Sequence, residues 1–228
     1  TFSSAASDVY KRQDFDNDGW EDVYFTGGSQ ADALYRNNGN GTFSNVSAAA
    51  GIDVTNGKTT AGVATGDIDN DGDRDIFVAT WNSYPNILLL NNGNGTFSDI
   101  SVSAGIADTA MSISISFGDV NLDGLLDIYL INYVDTLGFL NDSSTGQIVG
   151  FAHSGLPNNL YLNNGDLTFT DIAQSAGATD LGTGLAVAFT DYDNDSDMDI
   201  FCINDFGEWT LPNTLFRNEY PQPLTFTD

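Results

Sequence analysis

Basic residues are scarce in this chain of 228 residues, which has six Lys or Arg residues against 32 Asp or Glu residues and a net charge of −26. A protein that binds nucleic acid or anionic lipid electrostatically needs a basic patch, and the sequence contains none. It also lacks an uninterrupted run of roughly 18 apolar residues, the length that a membrane-spanning helix needs. The sequence therefore predicts neither nucleic-acid binding nor direct membrane insertion.

Cysteine and histidine occur once each, as Cys202 and His153, and this scarcity limits the possible chemistry. A Ser-His-Asp or Cys-His arrangement needs a nucleophile beside an oriented base, and the sequence offers no credible set. Cys202 stands in an apolar run, where a buried structural thiol is expected. Paired Asp residues could imitate a glycosidase site, but metal binding explains their repetition more economically. The sequence therefore predicts no catalytic residues.

The acidic residues are concentrated in four copies of one loop, which together hold 18 of the 32 Asp and Glu residues. Each copy has an oxygen-bearing side chain at positions 1, 3, 5 and 9, and three copies have glycine at position 6. This spacing suits a hard cation such as Ca²⁺, because alternate residues of a curled loop turn toward one point. Glycine supplies the bend. One copy could be an ordinary solvated turn, but four copies favour metal binding. The loops are residues 14–22, 67–75, 119–127 and 191–199.

The residues after each loop argue against an EF-hand or a dockerin, because both need a bidentate acid at position 12 and a helix leading out of the loop. A short apolar run rich in β-branched and aromatic residues follows position 9 instead, and such a run predicts a strand. Each loop is therefore predicted to close a β-hairpin. The residues at position 12 are Phe25, Val78, Leu130 and Cys202.

A second hairpin follows the first and is marked by Asn-Gly between apolar segments, at residues 34–43, 86–97 and 159–169. Each unit then has four antiparallel strands, and the loops recur at intervals of 53, 52 and 72 residues. Four-stranded repeats of about 40–50 residues are typical of β-propeller blades. A linear array of hairpin modules is the alternative. The fold is predicted to be all-β, with blades at about 14–51, 52–105, 106–177 and 178–228.

The acidic loop, its Phe117-Gly118-Asp119 lead-in and the Asn-Gly hairpin resemble the FG-GAP/VCBS repeats of bacterial secreted proteins. They are also similar to the blades of the integrin α-subunit head and, more closely, to cartilage acidic protein-like chains. The resemblance covers residues 14–228. It implies a β-propeller fragment of about four blades from a seven-bladed ring, with up to four Ca²⁺ ions, one in each blade. It also implies a role in extracellular adhesion or recognition.

The same resemblance implies a set of metal ligands. Two loops depart from the pattern, since Asn121 replaces an aspartate and Ser196 replaces the turn glycine. Both sites are expected to be weaker, because affinity depends on ligand charge and loop rigidity, and which one suffers more is open. The position-7 residues Trp20, Asp73, Leu125 and Asp197 would offer backbone carbonyls. The side-chain ligands would be Asp14, Asp16, Asp18, Asp22, Asp67, Asp69, Asp71, Asp75, Asp119, Asn121, Asp123, Asp127, Asp191, Asp193, Asp195 and Asp199.

Two segments do not fit the repeat. Residues 1–13, with their Lys11-Arg12 pair, are interpreted as a leader or adapter-like segment, and no inner strand is recognisable before Asp14. An open arc of four blades is therefore favoured over a closed four-bladed ring. Residues 132–158 explain the longest interval and are the best candidate for a partner contact, with a decorative excursion as the alternative. This insertion contains Tyr133, Asp135, Phe139, Phe151 and His153.

These observations lead to one functional hypothesis, a secreted or cell-surface Ca²⁺-binding propeller module for recognition or adhesion, without catalysis. Clustered carboxylates repel one another, so Ca²⁺ is predicted to support folding as well. Extracellular calcium modules work at about 10⁻⁴–10⁻³ M, and cytosolic calcium would leave such sites empty. The expected partner is a protein or a carbohydrate. The alternatives are a scaffold for a larger secreted enzyme, whose active site lies elsewhere, and a purely structural spacer.

Overall fold

The computed structural model describes residues 10–205, 211–220 and 223–228, and most of its regular structure is β-strand. The strands are β1 (Tyr10–Gln13), β2 (Asp22–Phe25), β3 (Ala33–Asn37), β4 (Phe43–Asn45), β5 (Thr59–Gly66), β6 (Asp75–Trp81), β7 (Ile87–Asn91), β8 (Phe97–Asp99), β9 (Ser112–Gly118), β10 (Asp127–Asn132), β11 (Val134–Asn141), β12 (Ile148–Gly155), β13 (Asn159–Asn163), β14 (Phe169–Asp171), β15 (Thr183–Thr190), β16 (Asp199–Asp205), β17 (Thr214–Asn218) and β18 (Phe226–Thr227).

The strands form four antiparallel sheets of four strands each, which are the blades of a β-propeller fold. Their strand orders are β1-β2-β3-β4, β5-β6-β7-β8, β9-β10-β13-β14 and β15-β16-β17-β18. Each acidic loop joins the first two strands of a blade directly, as the pairing of Gly66 with Asp75 illustrates. In the first three blades the Asn-Gly turn joins the last two strands, as the pairing of Asn91 with Phe97 illustrates, and in the fourth blade β17 pairs with β18 without an Asn-Gly turn. The predicted all-β class and the two hairpins of each blade are therefore confirmed.

Short helical turns follow the fourth strand of each of the first three blades. They are α1 (Ser47–Ala50), α2 (Ser101–Ala104) and α3 (Ala173–Ala176), and a 3-10 turn at Ile52–Thr55 follows α1. Each α-turn ends at a glycine in the left-handed region, which closes the turn and directs the chain toward the next blade. None of the helices in the described part of the chain has the length and apolar character needed to cross a membrane.

The blades pack face to face in chain order through their first strands, because β5 contacts β1 and β9, and β9 contacts β15. Phe117 of β9 packs over Gly66 of β5, where an added Cβ would lie 3.1 Å from the ring. Phe189 packs over Gly118 in the same way, at 2.6 Å. One hydrophobic cluster contains side chains from both the second and the third blade. Neighbouring blades thus share a core, which a linear array of independent hairpins would lack.

The start of the first blade differs from the prediction. Tyr10–Gln13 is a strand whose residues pair with β2, from Tyr10 opposite Phe25 to Gln13 opposite Asp22. The expectation that no inner strand precedes Asp14 is therefore wrong, and the first blade includes Tyr10–Gln13. Strand pairing uses backbone groups, so this strand forms although its sequence lacks the small and apolar residues that mark the inner strands of the other blades. Residues 1–9 of the predicted leader lie outside the described residues.

The insertion in the third blade is an antiparallel hairpin formed by β11 and β12, with register shifts between Val134 and Thr136 and between Leu140 and Asn141. At its turn, the Asp142 carboxylate accepts hydrogen bonds from Ser144 and Thr145, and these bonds lower the pKa of Asp142 to about 2. At its base, the Tyr133 hydroxyl donates to the Asp205 carboxylate of the fourth blade at 3.0 Å. The side chains of Phe151 and His153 lie outside those described. The insertion is therefore an ordered projection tied to the next blade.

Candidate metal centre

The four acidic loops share one pattern of hydrogen bonds, which curls the backbone around the first carboxylate. In the second loop, the two Asp67 oxygens accept from the backbone N–H groups of Asp71 and Gly72 at 3.1 and 3.0 Å. The Asp71 carboxylate accepts from the N–H of Asp73 at 2.8 Å. The corresponding bonds at positions 1 and 5 recur in the other three loops. Chain-local bonds thus bring alternate side chains together.

Three of the loops gather carboxylate oxygens within 4.8 Å of one another. An all-oxygen set with this much negative charge matches the ligands that Ca²⁺ prefers. In the third loop, the Asn121 amide donates to the Asp123 carboxylate at 2.9 Å, so one carboxylate oxygen is paired with an amide there. The carboxylates that lie within 4.8 Å of one another are Asp14, Asp16 and Asp18 in the first loop, Asp67, Asp69 and Asp71 in the second, and Asp191, Asp193 and Asp199 in the fourth.

The aspartate at position 9 is arranged differently from the others. Asp75 is 1% exposed, and its two oxygens accept from the N–H groups of Ile68 and Asn91 at 2.9 and 2.8 Å. Burial raises the pKa of Asp75 to about 7, and burial has the same effect on Asp127. Both charges are therefore costly, and a proton or a nearby cation would relieve them. Asp22 and Asp199 are equally buried and accept the equivalent pair of bonds.

The fourth loop has an aspartate at position 7 whose side chain is buried. Asp197 is 5% exposed, and its Oδ1 atom has no hydrogen-bond partner among the described residues. Burial, followed by the contact with the Asp195 carboxylate, raises the pKa of Asp197 to about 6. Two carboxylates in contact need a shared proton or a cation, so this orphaned oxygen fits a metal ion. In the second loop, Asp73 instead accepts from Asn17 of the first blade at 2.5 Å.

An asparagine at the end of the third strand is a site residue that the sequence reasoning missed. The backbone N–H of Asn163 donates to Asp127, and its side-chain amide donates to the carbonyl of Ile68 in the preceding blade at 2.8 Å. Each such residue ties its own loop to the loop of the preceding blade. Its recurrence immediately before the second hairpin turn was the available signal. The equivalent cross-blade donors are Asn91, to Phe15, and Asn218, to Val120.

Positions 4 and 6 of each loop have positive φ angles, and these angles affect the two loops that depart from the motif, the third with Asn121 and the fourth with Ser196. Ser196 has a φ of +80°, in the region that glycine occupies in the other loops, so the expected bend at this position is present. Position 4 is left-handed as well, and three loops place asparagine there. The third loop has Leu122 at φ +55°, which costs roughly 1 kcal/mol. Leu122 is thus a second departure in the third loop, at a position that the ligand spacing does not include.

The sole cysteine does not belong to the metal centre. Cys202 is fully buried in the core of the third and fourth blades, and burial raises the pKa of its thiol to about 12. A thiol in this state is a poor nucleophile. The prediction of a buried structural cysteine is therefore confirmed.

Comparison with known proteins identifies the same kind of repeat that the sequence patterns predict. A family model described as FG-GAP-like repeat matches residues 14–78, 67–130 and 140–202. Cartilage acidic protein 1 from Mus musculus is 32% identical over 188 residues, and the Homo sapiens protein is 31% identical over 186 residues. Both matches cover 78% of this chain, which spans only about a quarter of the length of these relatives.

One similar solved structure concerns the specific recognition of non-reducing terminal N-acetylglucosamine by an Agrocybe aegerita lectin. It matches 96% of this chain and 50% of its own chain, with a TM-score of 0.49 and 19% sequence identity.

Proposed function

The chain belongs to the FG-GAP-like repeat family, and we propose that it is a Ca²⁺-binding β-propeller module used for recognition or adhesion outside the cell. The observation that carries this proposal is the convergence of carboxylates in three of the acidic loops. In the fourth loop the buried Oδ1 of Asp197, which has no hydrogen-bond partner among the described residues, supports it. The relatives are named as cartilage proteins, and this supports a secreted or cell-surface location. The module is proposed to be non-catalytic.

The ions would be held by the outer carboxylates of each loop, joined in the fourth loop by the buried Asp199. In the second loop these are Asp67, Asp69 and Asp71, whose backbone hydrogen bonds already set their positions. A bound Ca²⁺ ion supplies positive charge that offsets the repulsion among these groups. Because the ion binds the folded loop and not the unfolded chain, it stabilises the blade by mass action. Up to four ions are proposed, one in each blade, with the Asn121 loop offering the least charge.

The β11–β12 hairpin is the proposed contact surface for a partner. Its described side chains include Phe139, Leu140, Ile148 and Val149, all more than half exposed. Four exposed apolar side chains on one projection favour a protein partner, because apolar contact area drives protein association. A carbohydrate partner is the second outcome of a binding experiment. The hairpin is held at its base by the Tyr133 bond to Asp205, so it can present these side chains in a fixed position.

Thermal denaturation in Ca²⁺ and in a chelator tests the metal proposal. Saturating Ca²⁺ at about 100 times the dissociation constant is expected to stabilise the protein by about 2.7 kcal/mol for each site. Asp71→Ala removes an outer carboxylate and is expected to reduce this stabilisation. Asp135→Ala, which removes an exposed carboxylate outside the loops, is the control and should leave it unchanged. Equal melting temperatures of the wild-type protein in Ca²⁺ and in chelator would remove the metal proposal.

A hairpin replacement tests the recognition proposal. Residues 135–154 are replaced by a short Gly-Ser turn, which keeps the buried bond between Asn132 and Asn158 that closes the base. Binding to extracellular-matrix proteins or to a glycan array is then compared with that of the wild-type protein. Loss of binding with an unchanged Ca²⁺-dependent melting temperature is expected. Full retention of binding by the replaced protein would contradict a contact role for the hairpin.

A further inference from the structure

Two of the four loops have an arginine that reaches across their carboxylates. In the first blade, the Arg36 Nε atom lies 2.7 Å from Asp16 Oδ2, and its Nη2 atom lies 3.0 Å from Asp18 Oδ2. The guanidinium therefore bridges positions 3 and 5 of the loop. These are two of the three carboxylates that come within 4.8 Å of one another, so the arginine engages the same groups that a metal ion would need.

The fourth blade repeats this arrangement. The Arg217 Nε atom lies 2.9 Å from Asp193 Oδ2, and its Nη2 atom lies 3.9 Å from Asp195 Oδ2. Arg36 and Arg217 occupy the same place in the repeat, immediately before the asparagine that ends the third strand. The positive charge is thus delivered to positions 3 and 5 by the same strand position in both blades.

The second and third blades have leucine at this place, as Leu90 and Leu162. Both leucines pack against hydrophobic clusters and bring no charge to the loops. Arg74 lies within the second loop, but it is exposed and forms no ion pair in the part of the chain that the structure describes. The four loops therefore divide into two that are bridged by arginine and two that are not.

We propose that Arg36 and Arg217 are tethered counter-cations that compete with the divalent ion for the first and fourth loops. This inference rests on the proposed Ca²⁺ binding. Without the ion, the arginines hold the carboxylates of these two loops together, whereas the second and third loops stay unneutralised. With the ion, binding to the first and fourth loops first displaces a guanidinium and is correspondingly weaker. The chain thus has two classes of calcium site.

The arginines only partly satisfy their loops, which leaves the metal able to displace them. Asp16 Oδ1 is buried and has no hydrogen-bond partner among the described residues even though Oδ2 of the same carboxylate is paired with Arg36. The guanidinium has one charge and stays protonated at all relevant pH values, and its side chain is nearly half exposed. Ca²⁺ has two charges and accepts six to eight oxygen ligands, so it can satisfy oxygens that the arginine leaves unpaired.

The first and second loops make the sharpest comparison, because both have aspartate at positions 1, 3, 5 and 9 and glycine at position 6. Arg36→Leu gives the first blade the residue of the second. Trp20, at position 7 of the first loop, provides a local reporter, because a nearby indole sensitises the luminescence of Tb³⁺, a common substitute for Ca²⁺. Tb³⁺ titration of the full chain, with Ca²⁺ competition, measures the affinity of this loop. With excitation selective for tryptophan, Trp20→Phe should remove the signal from the first loop and so identifies its source, because the aromatic residue within the fourth loop is a tyrosine, Tyr192.

Arg36→Leu is expected to tighten Tb³⁺ and Ca²⁺ binding at the first loop by roughly three- to tenfold. In this variant the metal ion no longer has to break a partly exposed ion pair, and it is no longer repelled by the positive charge of the arginine. The same change is expected to lower the melting temperature in chelator. Arg36→Lys keeps the charge and should restore most of the wild-type behaviour in both measurements. An arginine with a purely structural role would give a lower melting temperature without tighter binding.

Unchanged or weaker binding by Arg36→Leu, with the melting temperature in Ca²⁺ retained, overturns the competition and leaves the proposed calcium function intact. Leu90→Arg gives an independent arm when it is compared with Leu90→Gln, which loses the same apolar packing without adding a charge. Relative to Leu90→Gln, Leu90→Arg should lower the calorimetric Ca²⁺ affinity of the protein and raise its melting temperature in chelator. Unchanged values for this variant also count against the proposal. Absence of Ca²⁺ and Tb³⁺ binding by the wild-type protein would overturn both this inference and the calcium function.

Discussion

Each acidic loop contains two kinds of aspartate that the spacing of the motif does not distinguish. In the second loop, Asp69 and Asp71 are exposed and lie near other carboxylates, whereas Asp75 is almost completely buried and accepts two backbone hydrogen bonds. The outer aspartates repel one another unless a cation is present. The inner aspartate instead connects position 2 of its loop to the third strand of its blade. The same residue type therefore occurs within nine residues both as an exposed, clustered carboxylate, which is proposed to bind metal, and as a buried acceptor of backbone hydrogen bonds.

The two kinds also respond differently to their surroundings. The pKa of Asp75 is raised to about 7 chiefly by burial, and the backbone bonds from Ile68 and Asn91 act in the opposite direction. The pKa of Asp69 is raised by partial burial and then by the charge of Asp71, an effect that a bound cation would counter. The inner carboxylate thus depends on fixed donors that folding supplies. The outer carboxylates would instead be neutralised by the proposed ion from solution.

Replacing the inner aspartate is expected to give the largest effect. Asp75→Ala leaves the buried N–H groups of Ile68 and Asn91 without acceptors, which should lower the free energy of unfolding by about 3 kcal/mol. The loss should appear in chelator as well as in Ca²⁺, since these bonds do not involve the ion. Asp71→Ala should instead act mainly in Ca²⁺. Urea denaturation of both variants under both conditions measures the difference.

Asp75→Asn is the matched control for this comparison, because it keeps one acceptor oxygen and nearly the same shape. It should lose less stability than Asp75→Ala in chelator. The distinction between inner and outer aspartates would be wrong if Asp75→Ala were destabilising only in Ca²⁺, since Asp75 would then act chiefly as a metal ligand.

Local sequence patterns predicted the features of the molecule that local interactions determine. The acidic spacing identified the loop, because hydrogen bonds between residues two to five apart, such as Gly72 to Asp67, curl it. Asn-Gly identified the second hairpin, because that turn connects adjacent strands. The repetition of both signals gave the blades. These predictions needed no information about which blade lies beside which.

The interactions that the sequence patterns did not predict join one strand to another or a strand to a loop. The bond from Asn163 to Ile68 joins residues 95 positions apart, so its asparagine looked like part of a turn. Strand β1 lacks the side-chain pattern of the other inner strands and is defined by its backbone pairing with β2. The difference between Arg36 and Leu90 matters because the third strand lies beside the acidic loop, which brings Arg36 into contact with Asp16. Three-dimensional packing was needed in each case.

A smaller effect is expected from the asparagine that works with the inner carboxylate. Asn163→Ala keeps the backbone N–H that donates to Asp127 but removes the amide that donates to Ile68 and Leu126 and the oxygen that accepts from Gly165. The carbonyls of two neighbouring blades then lose a donor at a buried position. The free energy of unfolding should fall by about 2 kcal/mol in urea denaturation.

The adjacent asparagine separates this cross-blade role from a role in the turn. Asn164 is exposed, and within the described part of the chain its side chain bonds only to Thr168 and Thr170 of the same hairpin. Asn164→Ala should therefore change the free energy of unfolding by no more than about 0.5 kcal/mol. Neither change touches an outer carboxylate, so the difference in melting temperature between Ca²⁺ and chelator should persist in both variants. If Asn163→Ala abolished that difference, the asparagine would be positioning the metal-facing carboxylates, and the separation of inner and outer groups would not hold.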